Sequence, residues 1–439
     1  MFMRKLLLAC SILSIVSCNE QKPKADSKIL TDQNILHQNT KQLTEVIIHD
    51  MFSPPVASRI HAYTSLAAFE ALKYNVKGTP SITAQLPGFA QMPEPEKGKP
   101  YNYLLAATKA FFTVAEKITF SADTLNNYQV KIYADFKSLM DKETYDRSLA
   151  FGAEVGKKVL EKTASDNYKQ TRGMSKYLGS NEPGKWRPTP PDYLDGAESH
   201  WGKVKPMMLN SAAQFTCPAP PKFSTDSTST FYKSAKEVYT IGKNLSEEQK
   251  EIAKYWDDNP FVMEHSGHLM YGNKKITPVG HWIGITSIAC KMKDLNGVET
   301  ARAYALTSIS IYDALISCWD DKFIAQVIRP VTVINEWFDT NWQPYLQTPP
   351  FPEHPSGHSA ISAAAATILT HLLGDHFSFE DTSEMEYIGM KRSFQSFNLA
   401  ALEASISRVY GGIHFRTGVD AGAIQGQKVA EHVLNKLKL

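Results

Sequence analysis

Beyond residue 40 most of the chain repeats apolar positions at three- and four-residue spacing, the mark of helices with one buried face. The pattern predicts helices over 44–51 and 56–74, broken by Ser53-Pro54-Pro55, and then over 101–117, 122–140 and 141–166. A Pro- and Gly-rich connection fills 78–100. The stretch 170–230 differs in kind, with the runs Arg187-Pro188-Thr189-Pro190-Pro191 and Cys217-Pro218-Ala219-Pro220-Pro221. An irregular segment of this length reads as a functional covering loop rather than a linker. Helical spacing returns near Phe231 and continues through 253–257, 282–292, 301–318, 359–373, 394–408 and 421–437. Two-residue alternation is nearly absent. The expected fold class is all-α: a pair of helical bundles sharing one core, with long Pro-rich loops. The divisions are a processing segment at 1–18, a tether at 19–40, an N-terminal bundle with its covering loop at 41–230, and a C-terminal bundle at 231–439.

Composition agrees with a globular body. The 439 residues are 43% hydrophobic, too apolar for a disordered chain. With 47 basic and 45 acidic side chains there is no basic excess of the kind nucleic-acid binders show. No apolar run reaches the roughly 20 residues of a membrane-spanning helix. Arg4 and Lys5 precede a mostly apolar stretch from Leu6 to Val16, which ends at Ser17-Cys18 before polar residues. This layout resembles a bacterial lipoprotein signal, which implies export, lipidation at Cys18 and attachment to a bacterial membrane through that lipid alone. An ordinary signal peptide cut near Ser17 is the alternative. Of the remaining cysteines, Cys290 and Cys318 lie in apolar helical patterns and read as small buried hydrophobes; with Cys217 they leave one disulfide open.

Three segments near the C-terminus carry the chemistry. In the first, Lys322 and Arg329 flank an apolar run and precede Pro330. On a continuous helix they would lie two turns apart on nearly one face, with the proline stopping the helix soon after. Two such cations usually read as solvated surface charges, but the residues between them are mostly apolar. The second, Pro355-Ser356-Gly357-His358, opens an Ala-rich helix. Unpaired N–H groups at a helix start make an anion site, Gly357 lets a ligand approach the backbone, Ser356 adds a hydroxyl, and His358 can move a proton. The third runs from Ser407-Arg408 through Gly411-Gly412 to His414. Alone, His414 would read as a structural histidine; together, the segments describe a site for a small, highly charged tetrahedral oxyanion. His265-Ser266-Gly267-His268 repeats the Ser-Gly-His tripeptide without its proline or Ala-rich helix and reads as a loop or pocket rim. His281 reads as a packing histidine and His354 as a loop side chain.

The order Lys-x6-Arg-Pro, Pro-Ser-Gly-His, Ser-Arg-x5-His resembles the superfamily of type 2 phosphatidic acid phosphatases and vanadium-dependent haloperoxidases. Residues 303–322 and 342–358 are similar to the haloperoxidase branch, as less specifically are Ser53-Pro54-Pro55 and Trp186-Arg187-Pro188. The resemblance implies a haloperoxidase in which His414 is the axial ligand of vanadate and His358 the acid–base group. Lys322, Arg329, Ser356, Gly357 and Arg408 would bind equatorial oxygens, Lys322 would also polarise peroxide, and Trp319 and Phe351 would line the halide pocket. Hydrogen peroxide, halide and a small organic substrate are the implied partners; oligomeric state stays open. One alternative is an acid phosphatase that hydrolyses phosphate monoesters through a phosphohistidine at His414. Another is a non-catalytic oxyanion-binding lipoprotein. The superfamily usually places an Asp four residues after the last histidine; here Asp420 stands six after, so the acid that orients His414 is in doubt.

Overall fold

The computed structural model describes residues 27–438 apart from 267 and 273; the signal segment and Cys18 lie outside them, as does Gly267 of the repeated tripeptide. Fifteen α-helices and two short antiparallel hairpins follow one another among the described residues. The N-terminal half holds α1 (Asn34–His49), α2 (Pro54–Leu72), α3 (Tyr103–Ile118), α4 (Ala122–Leu139), α5 (Lys142–Ser165) and the short α6 (Tyr168–Thr171). Then come α7 (Thr230–Lys243), α8 (Glu247–Tyr255), the hairpin β1 (Met263–Ser266) and β2 (Leu269–Gly272), α9 (Pro278–Met292), and α10 (Gly297–Ala325). The C-terminal part continues with α11 (Pro330–Trp337), α12 (Gly357–Leu373), β3 (Phe379–Asp381), α13 (Met385–Ile388) and β4 (Arg392–Phe394), and ends with α14 (Phe397–Tyr410) and α15 (Arg416–Lys436).

The helix bounds follow local chemistry. Ser53 caps α2, whose first two residues are Pro54 and Pro55, where a missing N–H costs nothing. Asn296 and Glu299 form a reciprocal capping box at the start of α10. The chain is helical from Asn34, and Ile35, Leu36, Asn39 and Thr40 are buried. The packed body therefore begins before residue 41, and the second half of the expected tether belongs to it.

Three helices are buried on nearly all sides. Every residue of α2 is buried, and α10 is buried from Ala303 to Trp319. Small residues let α12 pack against α10, α14 and α15 together. At Gly422 a Cβ would stand 2.3 Å from the Ser356 carbonyl oxygen, so α15 can lie this close to the start of α12 only with glycine there. One apolar core runs from Ile35 to Leu437 through both halves of the chain, and a second, smaller one packs α7 against α11.

The Pro-rich segment is fastened to α10 by a ladder at four-residue intervals. Asp313 accepts the backbone N–H groups of Met207, Met208 and Leu209 at 2.7, 2.7 and 3.0 Å. One turn on, Ser317 donates to the Ala212 carbonyl at 2.5 Å; another turn on, Asp321 accepts from Cys217 N–H at 2.8 Å. The loop is thus held by side chains of a buried helix, and the ladder ends beside Lys322. Replacing Asp313 by Ala would leave three buried donors unpaired, at about 1–3 kcal/mol each. Asp313→Ala is expected to lower unfolding free energy by at least about 3 kcal/mol in denaturant titration and to open 170–230 to limited proteolysis. Wild-type resistance in that segment would contradict the ladder's role.

Candidate functional site

The ends of α10, α11, α12 and α14 meet at one buried point. Lys322, Arg329 and Arg408 are all 0% exposed there, an unusual burial for three cations in one place. Lys322 and Arg329 do not share a helix. α10 stops at Ala325, Gln326 takes a left-handed conformation (φ 55°), and Arg329 is the extended residue that caps α11. Pro330 opens α11 rather than ending a helix, as suits the first helical position. The link 326–328 is clamped by the Trp186 loop: Trp186 N–H donates to the Gln326 carbonyl at 2.7 Å and Ile328 N–H to Gly184 at 3.0 Å.

Backbone carbonyls hold each cation in place. The Lys322 ammonium donates to the carbonyls of Pro352 (3.0 Å), Glu353 (3.1 Å) and Pro355. Arg329 donates through Nε to Phe351 and through Nη1 to Ile413, and Nη1 also stands 3.2 Å from His414 Nε2. Arg408 donates to Ser407 Oγ through Nε and to the Trp256 carbonyl through Nη2. Among the described residues none of the three pairs with a carboxylate within 4 Å. Arg329 Nη2, Arg408 Nη1 and His358 Nε2 are buried without a hydrogen-bond partner.

Both histidines are poised as neutral rings. Burial and the neighbouring Arg329 and Lys322 hold His414 well below the ordinary histidine range. Its Nδ1 lies 2.8 Å from Glu353 Oε1, so the Nδ1–H donates to that carboxylate and the Nε2 lone pair faces the cations. Burial and Arg408 likewise hold His358 low; its hydrogen bond with the Trp256 backbone leaves Nε2 free. Ser356 caps α12 and accepts from Ser359 N–H, while the N–H groups of Gly357 and His358 open the helix without intrahelical acceptors. A Cβ on Gly357 would stand 3.0 Å from the Trp319 ring, so this helix start tolerates little more than hydrogen.

A narrow cavity of about 20 Å³ reaches this point; Gly357, His358, Arg408 and His414, with Asp258 and Asn259, form its polar side. Trp319 and Phe351, 5.0 Å apart between ring centres, line the apolar side together with Phe261, Pro54 and Pro349. The structure therefore brings Trp319, Lys322, Arg329, Phe351, Ser356, Gly357, His358, Arg408 and His414 to one place.

Other candidates lie elsewhere. Asp420 is exposed on α15 beside Arg416, and the acid that holds His414 is Glu353. Spacing relates residues of one element and gives no sign of Glu353, which stands 61 positions from His414 with α12, the β3–β4 hairpin and α14 between them. Phe261 likewise carried no one-dimensional signal. His354 binds the Pro218 carbonyl at 2.9 Å and touches Cys217 Sγ, as a loop-fastening side chain. His268 sits exposed in the β1–β2 turn. Cys217, Cys290 and Cys318 are all free.

A family model for the VCPO second helical-bundle domain matches residues 302–439. The solved structure of a bacterial vanadium-dependent iodoperoxidase superposes with a TM-score of 0.88 at 42% identity, covering 92% of this chain and 97% of that one. A bacterial vanadium-dependent chloroperoxidase in its holo form shares the fold at a TM-score of 0.68 and 19% identity, over 88% of this chain and 94% of its own; the apo form matches as well. No curated protein matches significantly. A buried cage of cations around a carboxylate-held histidine, on a helical scaffold shared over nine-tenths of its length at 42% identity, places this chain in the vanadium-dependent haloperoxidase family.

Proposed function

We propose that this protein oxidises halide, iodide foremost, with hydrogen peroxide at vanadate bound through His414 Nε2. The observation that carries the reading is the His414 lone pair, fixed by Glu353 and facing two buried guanidinium groups that each keep an unpartnered nitrogen. These donors fit a tetrahedral oxyanion, which would replace the Arg329–His414 contact. Arg329, Arg408, Ser356 and the N–H groups of Gly357 and His358 would hold its oxygens, with the Lys322 charge standing behind them. Bound vanadate supplies a Lewis-acidic vanadium(V) centre that activates peroxide without changing oxidation state.

Neutral His358, which lines the cavity and keeps Nε2 unpartnered, would accept a proton from the peroxide at that nitrogen and, as imidazolium, would give it back to the product side. Lys322, held by three carbonyls behind the cage, would draw electron density from the peroxide while its ammonium is charged. Trp319, Phe351 and Phe261 form an apolar wall suited to a large, weakly hydrated halide, and the 42%-identical relative is an iodoperoxidase. The lipoprotein layout around Cys18 supports a further part of the proposal: the enzyme is exported and works at a bacterial envelope, tethered by lipid.

Three outcomes test this account. His414→Ala should lose iodide oxidation by at least about a thousandfold, with vanadate binding lost in parallel; full retention would sink the assignment. Glu353→Gln keeps the ring in place but weakens its hold on the tautomer, so vanadate affinity should fall by roughly 10–100-fold while the fold persists. Burial pushes the Lys322 ammonium down to about 8. The group is charged below that pH and neutral above it, so a bound dianion gains a cation only at the lower pH. Burial also pushes the Arg329 guanidinium down, to about 9, so phosphate affinity measured by calorimetry is expected to weaken from pH 8 to pH 10 in both proteins, and more steeply in the wild type than in Lys322→Met.

A further inference from the structure

A second cluster of charge lies behind the cage, in residues that the oxyanion chemistry does not use. His281, in the first turn of α9, is fully buried and stacks on Trp256 with ring centres 4.4 Å apart. Around it stand three buried carboxyl groups from two segments: Asp258 after α8, and Asp381 and Glu384 in the stretch from the end of β3 to the start of α13. Asp381 Oδ2 lies 2.9 Å from His281 Nε2. The other ring nitrogen, Nδ1, stands 3.1 and 3.2 Å from the two oxygens of Asp258 and 3.6 Å from Glu384 Oε1.

That arrangement is poorly explained by hydrogen bonding. Nδ1 has at most one hydrogen, yet it faces three oxygens, two of them at equal reach. Glu384 is 3% exposed, and its Oε1 has no hydrogen-bond partner although it points at the ring. One imidazole faces three buried carboxyl groups, and the nearby Lys275 ammonium is engaged 2.5 Å from Asp257. Ligands about 2.1 Å from a shared ion stand roughly 3.0–3.4 Å from one another, close to the spacing found here.

We propose that Asp258, His281 and Glu384 bind a divalent transition-metal ion of the Zn²⁺ or Mn²⁺ class. The donor atoms of the three side chains all lie within 4.8 Å of one another. One imidazole with two carboxylates suits these ions better than Ca²⁺, which prefers an all-oxygen shell. Asp381 then holds His281 Nε2–H, so that Nδ1 presents its lone pair to the metal, the usual outer carboxylate of a histidine ligand. The ion would tie the β3–β4 hairpin and the α8–α9 connection to the first turn of α9. Asp258 also lines the oxyanion cavity, so the two sites share a wall. The proposal is independent of the halide chemistry.

The test uses the full chain dialysed against chelator, then titrated with Zn²⁺ and separately with Mn²⁺ by calorimetry. One tight equivalent of either ion is expected, with affinity lowered at least a hundredfold in Glu384→Gln. Anomalous diffraction from wild-type crystals soaked in the tighter-binding ion should place a peak among Asp258, His281 and Glu384, a readout that survives if the variant fails to fold. Absence of a tight equivalent for both ions, unchanged affinity in Glu384→Gln, or a peak confined to other residues would overturn the proposal.

Discussion

Three positive charges buried at one point set the terms for the rest of this structure. Withdrawing a cation from water costs several kcal/mol even after relaxation. Here Lys322, Arg329 and Arg408 meet backbone carbonyls instead of carboxylates. Carbonyl dipoles hold a cation without cancelling its charge, so the point remains strongly attractive to an anion. Glu353 is the exception that sharpens the site, because its hydrogen bond goes to His414 and leaves both guanidinium groups with free nitrogens. A pair of direct ion pairs would have made the same residues more stable and chemically inert.

Keeping such a point dry requires walls that do not move, which explains the helices around it. α10 is buried along most of its length and delivers Trp319 and Lys322 from inside the core rather than from a surface loop. Its Asp313, Ser317 and Asp321 bind the irregular segment down as a cover, and Trp186 in that segment clamps the link that carries Arg329. Gly422 lets α15 press against the start of α12, where Ser356 N–H donates to the Gly418 carbonyl at 2.8 Å. Helix starts and ends, rather than helix faces, do the binding.

Much of this was legible in the sequence, and the reason is local chemistry. The all-α class follows from three- and four-residue spacing, and the anion site at Ser356-Gly357-His358 follows from what any helix start offers. The cations were legible because apolar neighbours on both sides are hard to reconcile with a solvated surface. What spacing could not supply was contact across the fold. Lys322 and Arg329 looked like two turns of one helix, whereas a left-handed residue at Gln326 separates them and lets both point inward. The partner of His414 was sought a few positions on at Asp420, which lies on α15, yet it arrives from the loop before α12 as Glu353. His281 looked like packing because the three acids around it come from segments more than twenty positions away.

This cage is built for an oxyanion that activates peroxide toward halide. The most direct measurement takes the wild-type protein, stripped of bound anion, and follows iodide oxidation by hydrogen peroxide with and without orthovanadate. Activity that appears only with vanadate and disappears when phosphate competes for the cage is the predicted result. Hydrolysis of a phosphate ester that vanadate inhibits, with no oxidation of any halide, would contradict it and move the same residues to phosphoryl transfer.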